Sequence, residues 1–270
     1  MSPDPDHGAE PTRKERRAQA REARRAEEVA RRRAAAARRR LLLIGAALAV
    51  AFASAGVALV LGGGSAATGS ATSPMPRFRL APLASLGPLH PPASTGPRGS
   101  EEVPVPHAPP LATTATKASG QPLDGIGCSA GEQTLFHIHA HLTVFVDGAA
   151  RQIPYGIGIL NAETFPTPRG PFVEAGSCFY WLHTHAPDGI IHVESPVERI
   201  YTLGEFFDEW GQPLGPERVG PAKGPVTAIY NGRRVETNPR EIPLTRRAQI
   251  QLEVGLPLVA PETIEFPNGL

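Results

Sequence analysis

Six of the nine histidines in this chain stand in two short stretches, and the spacing in both is that of a β-strand. In Phe136-His137-Ile138-His139-Ala140-His141-Leu142, the two-residue period of a strand puts His137, His139 and His141 on one face and the apolar residues on the other. The second stretch runs from Trp181 through His183, His185 and His192 to Glu194, and Pro187-Asp188-Gly189 marks a turn within it. A two-residue loop there sets His185 opposite His192 and His183 opposite Glu194. A four-residue loop sets His183 opposite His192 and Trp181 opposite Glu194. Both registers leave His183, His185, His192 and Glu194 on one face, and only an odd loop or a bulge would break that parity.

Imidazole is a good ligand for Zn, Cu, Ni and Fe, and three or four on adjacent strands, joined by a carboxylate, suffice to hold an ion. The candidate metal ligands are therefore His137, His139, His141, His183, His185, His192 and Glu194, with Zn and Cu(II) as the leading ions. Two of the six imidazoles are equally suited to orienting a ligand, because a metal-bound imidazole needs a partner for its other nitrogen. The plain alternative is a set of polar residues on a wet sheet face. One lone histidine would favour it, whereas an HxHxH and an HxH followed by a further histidine favour the metal. His90 and His107, isolated in a Pro-rich stretch, read as solvated residues.

Cys128 and Cys178 are the two cysteines of the chain. In an exported domain they are expected to form a disulfide, closing a loop of about 50 residues and stabilising the fold by about 4 kcal/mol through chain entropy. The competing assignment makes Cys178 a copper ligand, since it precedes His183 at a spacing loosely like that of blue-copper loops. Two points oppose it. Residues 121–270 contain no Met for an axial position, and strand parity turns Cys178, Tyr180 and Leu182 away from His183 and His185.

These side chains need a scaffold, and residues 121–270 have the texture of one: an α+β domain, mainly antiparallel β with hairpins and one short amphipathic helix. Leu142, Val144 and Val146 alternate ahead of Asp147-Gly148, a tight-turn dipeptide, with Ile153 on the return. Val226 to Tyr230 leads into Asn231-Gly232 and back through Val235, and Ile250, Leu252 and Val254 alternate in a final strand. Thr202 and Glu205 form a T-x-x-E capping box, after which Leu203, Phe206, Phe207 and Trp210 share a helical face that Gly211 can end. Gly156, Gly158 and Gly170 read as turn and bulge residues.

The rest of the chain is organised differently. Residues 1–40 hold 13 Lys/Arg against 7 Asp/Glu, and residues 121–270 hold 10 against 17. The uncharged run of residues 41–61 is long enough for roughly 30 Å of helix and so for a bilayer core. Arg38, Arg39 and Arg40 abut its start, which keeps that side in the cytoplasm and sends the remainder out of the cell. The expected organisation is a basic cytoplasmic tail (1–40) near anionic lipid headgroups, a transmembrane helix (41–62), a disordered Pro/Ala/Ser/Thr-rich stalk (63–120) and the extracytoplasmic domain (121–270). A cleaved signal peptide is the rival, opposed by the 40 residues that precede the apolar run. Lipid accounts for the basic tail without nucleic acid.

The blocks HIHAHL before a D-G hairpin, LHTH with GIIHVES, YTLGEFFDEWG and YNG resemble, in that order over roughly residues 123–255, an uncharacterised group of prokaryotic membrane-anchored or exported proteins. The resemblance implies that these residues act as one unit and brings no activity with it. The HxH spacing is also faintly similar to a cupin motif, but Glu194 comes much later than a cupin glutamate. Three function classes follow: an extracytoplasmic metal-binding protein, a metal-dependent enzyme at the envelope, and a structural or interaction module. Glu194 is the carboxylate whose direction would suit an enzyme, and no HExxH, Walker loop, GxGxxG or Ser-His-Asp order strengthens that class.

Overall fold

The computed structural model describes residues 78–92, 96–114 and 119–270. Among these, eight strands form the main sheet: β1 (Leu80–Ala81), β2 (Phe136–Val146), β3 (Ala149–Arg151), β4 (Leu182–His183), β5 (Ile190–Ser195), β6 (Val226–Tyr230), β7 (Arg233–Val235) and β8 (Ala248–Val254). Their order is β1-β7-β6-β8-β2-β5-β4, with β3 paired to the C-terminal half of β2. Every pairing is antiparallel except that of β8 with β2, which is parallel.

Both expected hairpins form. Asp147 and Gly148 take φ of 51° and 74°, and Asn231 and Gly232 take 49° and 73°, the paired positive φ of the tight turn that matches strand twist. The first return strand ends at Arg151, short of Ile153, which is nonetheless buried. Helix α1 (Leu203–Trp210) has the full capping box, with the Thr202 side chain accepting from the Glu205 N–H and the Glu205 carboxylate accepting from the Thr202 N–H. Gly211 ends it in the left-handed conformation. Leu203, Phe206, Phe207 and Trp210 are fully buried in one core with Ile138, Ala140, Leu142, Leu182, Ile191 and Val193, the apolar faces of β2, β4 and β5. Cys128 and Cys178 are bridged, and the antiparallel pair Cys128–Ser129 with Cys178–Tyr180 leads directly into β4.

The Pro-rich stretch differs from its expected role as a free stalk. From Phe78 on, the described part is docked on the domain: β1 pairs with β7, His90 bridges to Val259, and the Leu111 N–H donates to Gln152 O. Val103 and Leu111 are buried, and the Trp210 indole N–H donates to Thr113 O at 2.8 Å. Proline prevents a long strand here but not docking through isolated bridges and scattered apolar anchors. His90 and His107 are exposed, as solvated residues should be. The expected basic tail and membrane helix lie outside the described residues; among the described residues no helix is long and apolar enough to cross a membrane.

Candidate metal centre

The register of the central strands gathers the histidines. β5 lies between β4 and β2, and His192 pairs with His183 on one side and with His139 on the other, while Glu194 pairs with His137. The Glu194 N–H also donates to Trp181 O, so the hairpin takes the register of the four-residue loop. Its ladder is short. Thr184 and His185 leave β5 to bond a neighbouring loop, with the Thr184 N–H donating to Ile157 O and Val173 N–H donating to His185 O. Gly158 makes this approach possible, since a Cβ there would lie 2.2 Å from Leu182 O, and its φ of +72° suits glycine.

Two groups of donor atoms result, each within 4.8 Å of one another: His137, His139, His192 and Glu194, and His183, His185, His192 and Glu194. These buried groups could hold a metal ion. The face is not wet: the exposures of His139, His183, His185, His192 and Glu194 run from 0% to 6%, and only His137 is open, its side chain 40% exposed. His141 shares the strand face but stands apart, its Nε2 3.0 Å from Asp188 O and outside both groups.

The tautomers of one pair are fixed by geometry. A carbonyl oxygen can only accept, so the contact of His183 Nδ1 with Tyr180 O at 2.8 Å and that of His185 Nδ1 with Val173 O place the N–H on Nδ1 in both rings. Both Nε2 atoms then carry lone pairs, and they stand 3.0 Å apart. Two facing lone pairs at that distance repel each other, and a bound cation would relieve the repulsion. A proton is disfavoured, because burial first, and then the neighbouring histidines, hold His183 well below the usual histidine range, and burial and His192 lower His185. Two nitrogens bound at about 2.0–2.1 Å to one tetrahedral ion stand about 3.3 Å apart, close to the separation found. Backbone-anchored Nδ1 with a free Nε2 is the usual posture of a metal-bound imidazole.

The other pair is less constrained. His137 Nε2 is 3.1 Å from His139 Nε2 and 3.1 Å from Glu194 Oε1. His139 Nδ1 has no hydrogen-bond partner among the described residues, and burial, followed by His192 and His137, pushes its ring down to about 2. His192 stands between the pairs and behaves oppositely. Burial opposes its charge, but Glu101, 2.8 Å from Nε2, and Glu194, 3.3 Å from Nδ1, outweigh burial and raise it to about 10.

Glu101, Glu132 and Asp188 stand beside the candidate site, and sequence reasoning did not single them out for it. Glu101 arrives from the Pro-rich segment, held there by the Glu102 ion pair with Arg169 and by Ser100 Oγ, 3.0 Å from Thr167 Oγ1. Its only sequence signal is that Glu101 and Glu102 are the two acidic residues in 63–120. Glu132 lies 3.5 Å from His185 Nε2, its carboxyl raised by burial and by Glu194. Asp188 is buried with Oδ2 unpartnered among the described residues, and burial, then Glu101, raises it to about 8.

Comparison with protein-family models, with curated proteins and with solved structures finds no match to this chain.

Proposed function

We propose that this protein is a membrane-anchored, extracytoplasmic binder of a transition metal, Zn or Cu(II). One observation carries the reading: His183 and His185 hold their Nδ1–H groups on backbone carbonyls and turn two free Nε2 lone pairs toward each other at 3.0 Å in a dry site. Imidazoles with one carboxylate, Glu194, suit Zn and Cu(II) and offer nothing soft enough to select Cu(I). Placement outside the cytoplasm is supported by the apolar run of residues 41–61 behind Arg38, Arg39 and Arg40, and by the Cys128–Cys178 bridge, which persists where thiols are not kept reduced.

The test is elemental analysis of full-length protein prepared without a histidine tag, followed by calorimetric titration of the chelator-treated protein with Zn(II) and Cu(II). Bound metal and a loss of more than about 100-fold in affinity in His183→Ala/His185→Ala are expected. Unchanged stoichiometry and affinity in that variant would reject these residues as the ligand source. Fusions to a reporter active only after export test the topology, and silence of a C-terminal fusion rejects it.

A further inference from the structure

We propose that the centre is dinuclear, with Glu194 bridging one metal position held by His183 and His185 and a second held by His137 and His139. The inference rests on the metal-binding reading above and extends it from one ion to two. Even without His192, whose two nitrogens face Glu101 and Glu194, four imidazoles and Glu194 offer five donors, more than the four positions zinc ordinarily fills. They are also not spread evenly. Each pair brings its Nε2 atoms to a metal-like separation, 3.0 Å for His183 and His185 and 3.1 Å for His137 and His139. The two pairs fall in different groups of mutually close donors, and His192 and Glu194 belong to both.

Glu194 has the posture of a bridge. Its Oε1 is 3.1 Å from His137 Nε2, while its Oε2 is 4.0 Å from His183 Nε2 and has no hydrogen-bond partner among the described residues. One oxygen is therefore directed to each pair. Carboxylate-bridged ions in two-metal sites stand about 3.5–4 Å apart, a spacing that a single syn-syn carboxylate spans. His192 lies between the pairs, its ring centroid 4.5 Å from that of His139 and 4.6 Å from that of His185, and its two nitrogens engage Glu194 and Glu101.

Charge points the same way. Two divalent ions in a dry site require several anions close by, and besides Glu194 the cluster is reached by Glu101 at 2.8 Å from His192 Nε2 and Glu132 at 3.5 Å from His185 Nε2. The two positions differ in access. The His183/His185 position is enclosed and its ligands are anchored, whereas the His137/His139 position opens to solvent through His137. The second ion should be the weaker and the more exchangeable.

The test uses full-length, untagged, chelator-treated protein titrated with Zn(II) by calorimetry and with Cu(II) by paramagnetic resonance. Two equivalents per chain are expected, the second at least tenfold weaker. Two equivalents of Cu(II) should give a spin-coupled signal in place of the spectrum of isolated ions. His137→Ala/His139→Ala should bind one equivalent with the first affinity preserved within about tenfold. If that variant fails to fold, His137→Gln, at the half-exposed position, should selectively weaken the second equivalent. Saturation of the wild type at one equivalent, two magnetically isolated ions, or two equivalents retained at unchanged affinity in these variants would each overturn the dinuclear assignment while leaving metal binding intact. No tight binding at all would remove both.

Discussion

The strands β2, β4 and β5 present two faces that are chemically opposite and, His137 apart, both dry. On one, Ile138 is 5% exposed and Val193 0%; on the other, their chain neighbours His139 and His192 are 3% and 6% exposed. Burial therefore does not separate core from site here. The distinction is what completes each face. Apolar side chains are satisfied by packing against α1, whereas the imidazole face ends in nitrogen lone pairs and carboxylate oxygens that packing cannot satisfy. One face is finished by folding, and the other is left with donors that could hold a metal ion.

The comparison breaks most visibly on the apolar side. Trp210→Ala removes a fully buried indole and its hydrogen bond to Thr113, and should lower the unfolding free energy by about 5 kcal/mol in a denaturant titration. Metal stoichiometry per folded molecule should not change; a proportional loss would show that the faces are coupled. Replacing Cys128 and Cys178 together by Ser should destabilise by about 4 kcal/mol through the lost 50-residue closure, again with stoichiometry retained below the melting transition.

On the imidazole side the expected order is reversed. Zn(II) at about 100 times its dissociation constant should stabilise the wild type by about 2.7 kcal/mol, and His183→Ala/His185→Ala should show none of this gain. Without metal, that variant should itself lose about 2–4 kcal/mol, since it also deletes the two buried Nδ1–H bonds to Tyr180 O and Val173 O. Retention of the full metal-dependent gain in the variant would make these histidines ordinary core residues.

Glu209 on α1 sharpens the contrast, being a carboxyl on the apolar side. Burial, then Glu205, raises it well above the usual glutamate range. A raised acid contributes stability that is complete below its unfolded value of 4.5 and is lost as pH rises toward its folded value. Glu209→Gln escapes that loss. The variant should lie nearest the wild type at about pH 4 and gain on it as pH rises above 4.5, in melts at matched ionic strength.

What could be read in the sequence was whatever short-range periodicity controls. Strand parity placed His137 and His139 on one strand face and His183, His185, His192 and Glu194 on one hairpin face, while the pairing of the two came only with the structure; Asp147-Gly148 and Asn231-Gly232 gave the hairpins, and the Thr202 and Glu205 pair gave the helix start. The parity of Cys178 turned it from the imidazoles and toward Cys128. Parity could not tell His141 from its neighbours: it shares their face but stands at the next step along β2, where Asp188 O takes its nitrogen. Nor could local pattern show that the imidazole face is covered, because part of its cover, Glu101 against His192, comes from the Pro-rich segment. That segment reads as disordered by composition, yet it is held by Val103 and Leu111 and delivers Glu101 to a histidine far along the chain. The parallel pairing of β8 with β2 likewise depends on a long-range choice that alternation in either strand does not encode.

That parallel pairing bears on when the site can come into being. β2 carries His137 and His139 and sits at the middle of the sheet, but its β8 edge stays open until the last strand arrives, with nearly the whole domain between them. Such long-range closure is slow and leaves an unpaired edge meanwhile. During synthesis or export the hairpin bearing His183, His185 and His192 is complete well before β8 emerges. Four of the candidate ligands, His183, His185, His192 and Glu194, are therefore made together before β8, while His137 and His139 wait for the final strand to set β2 in place.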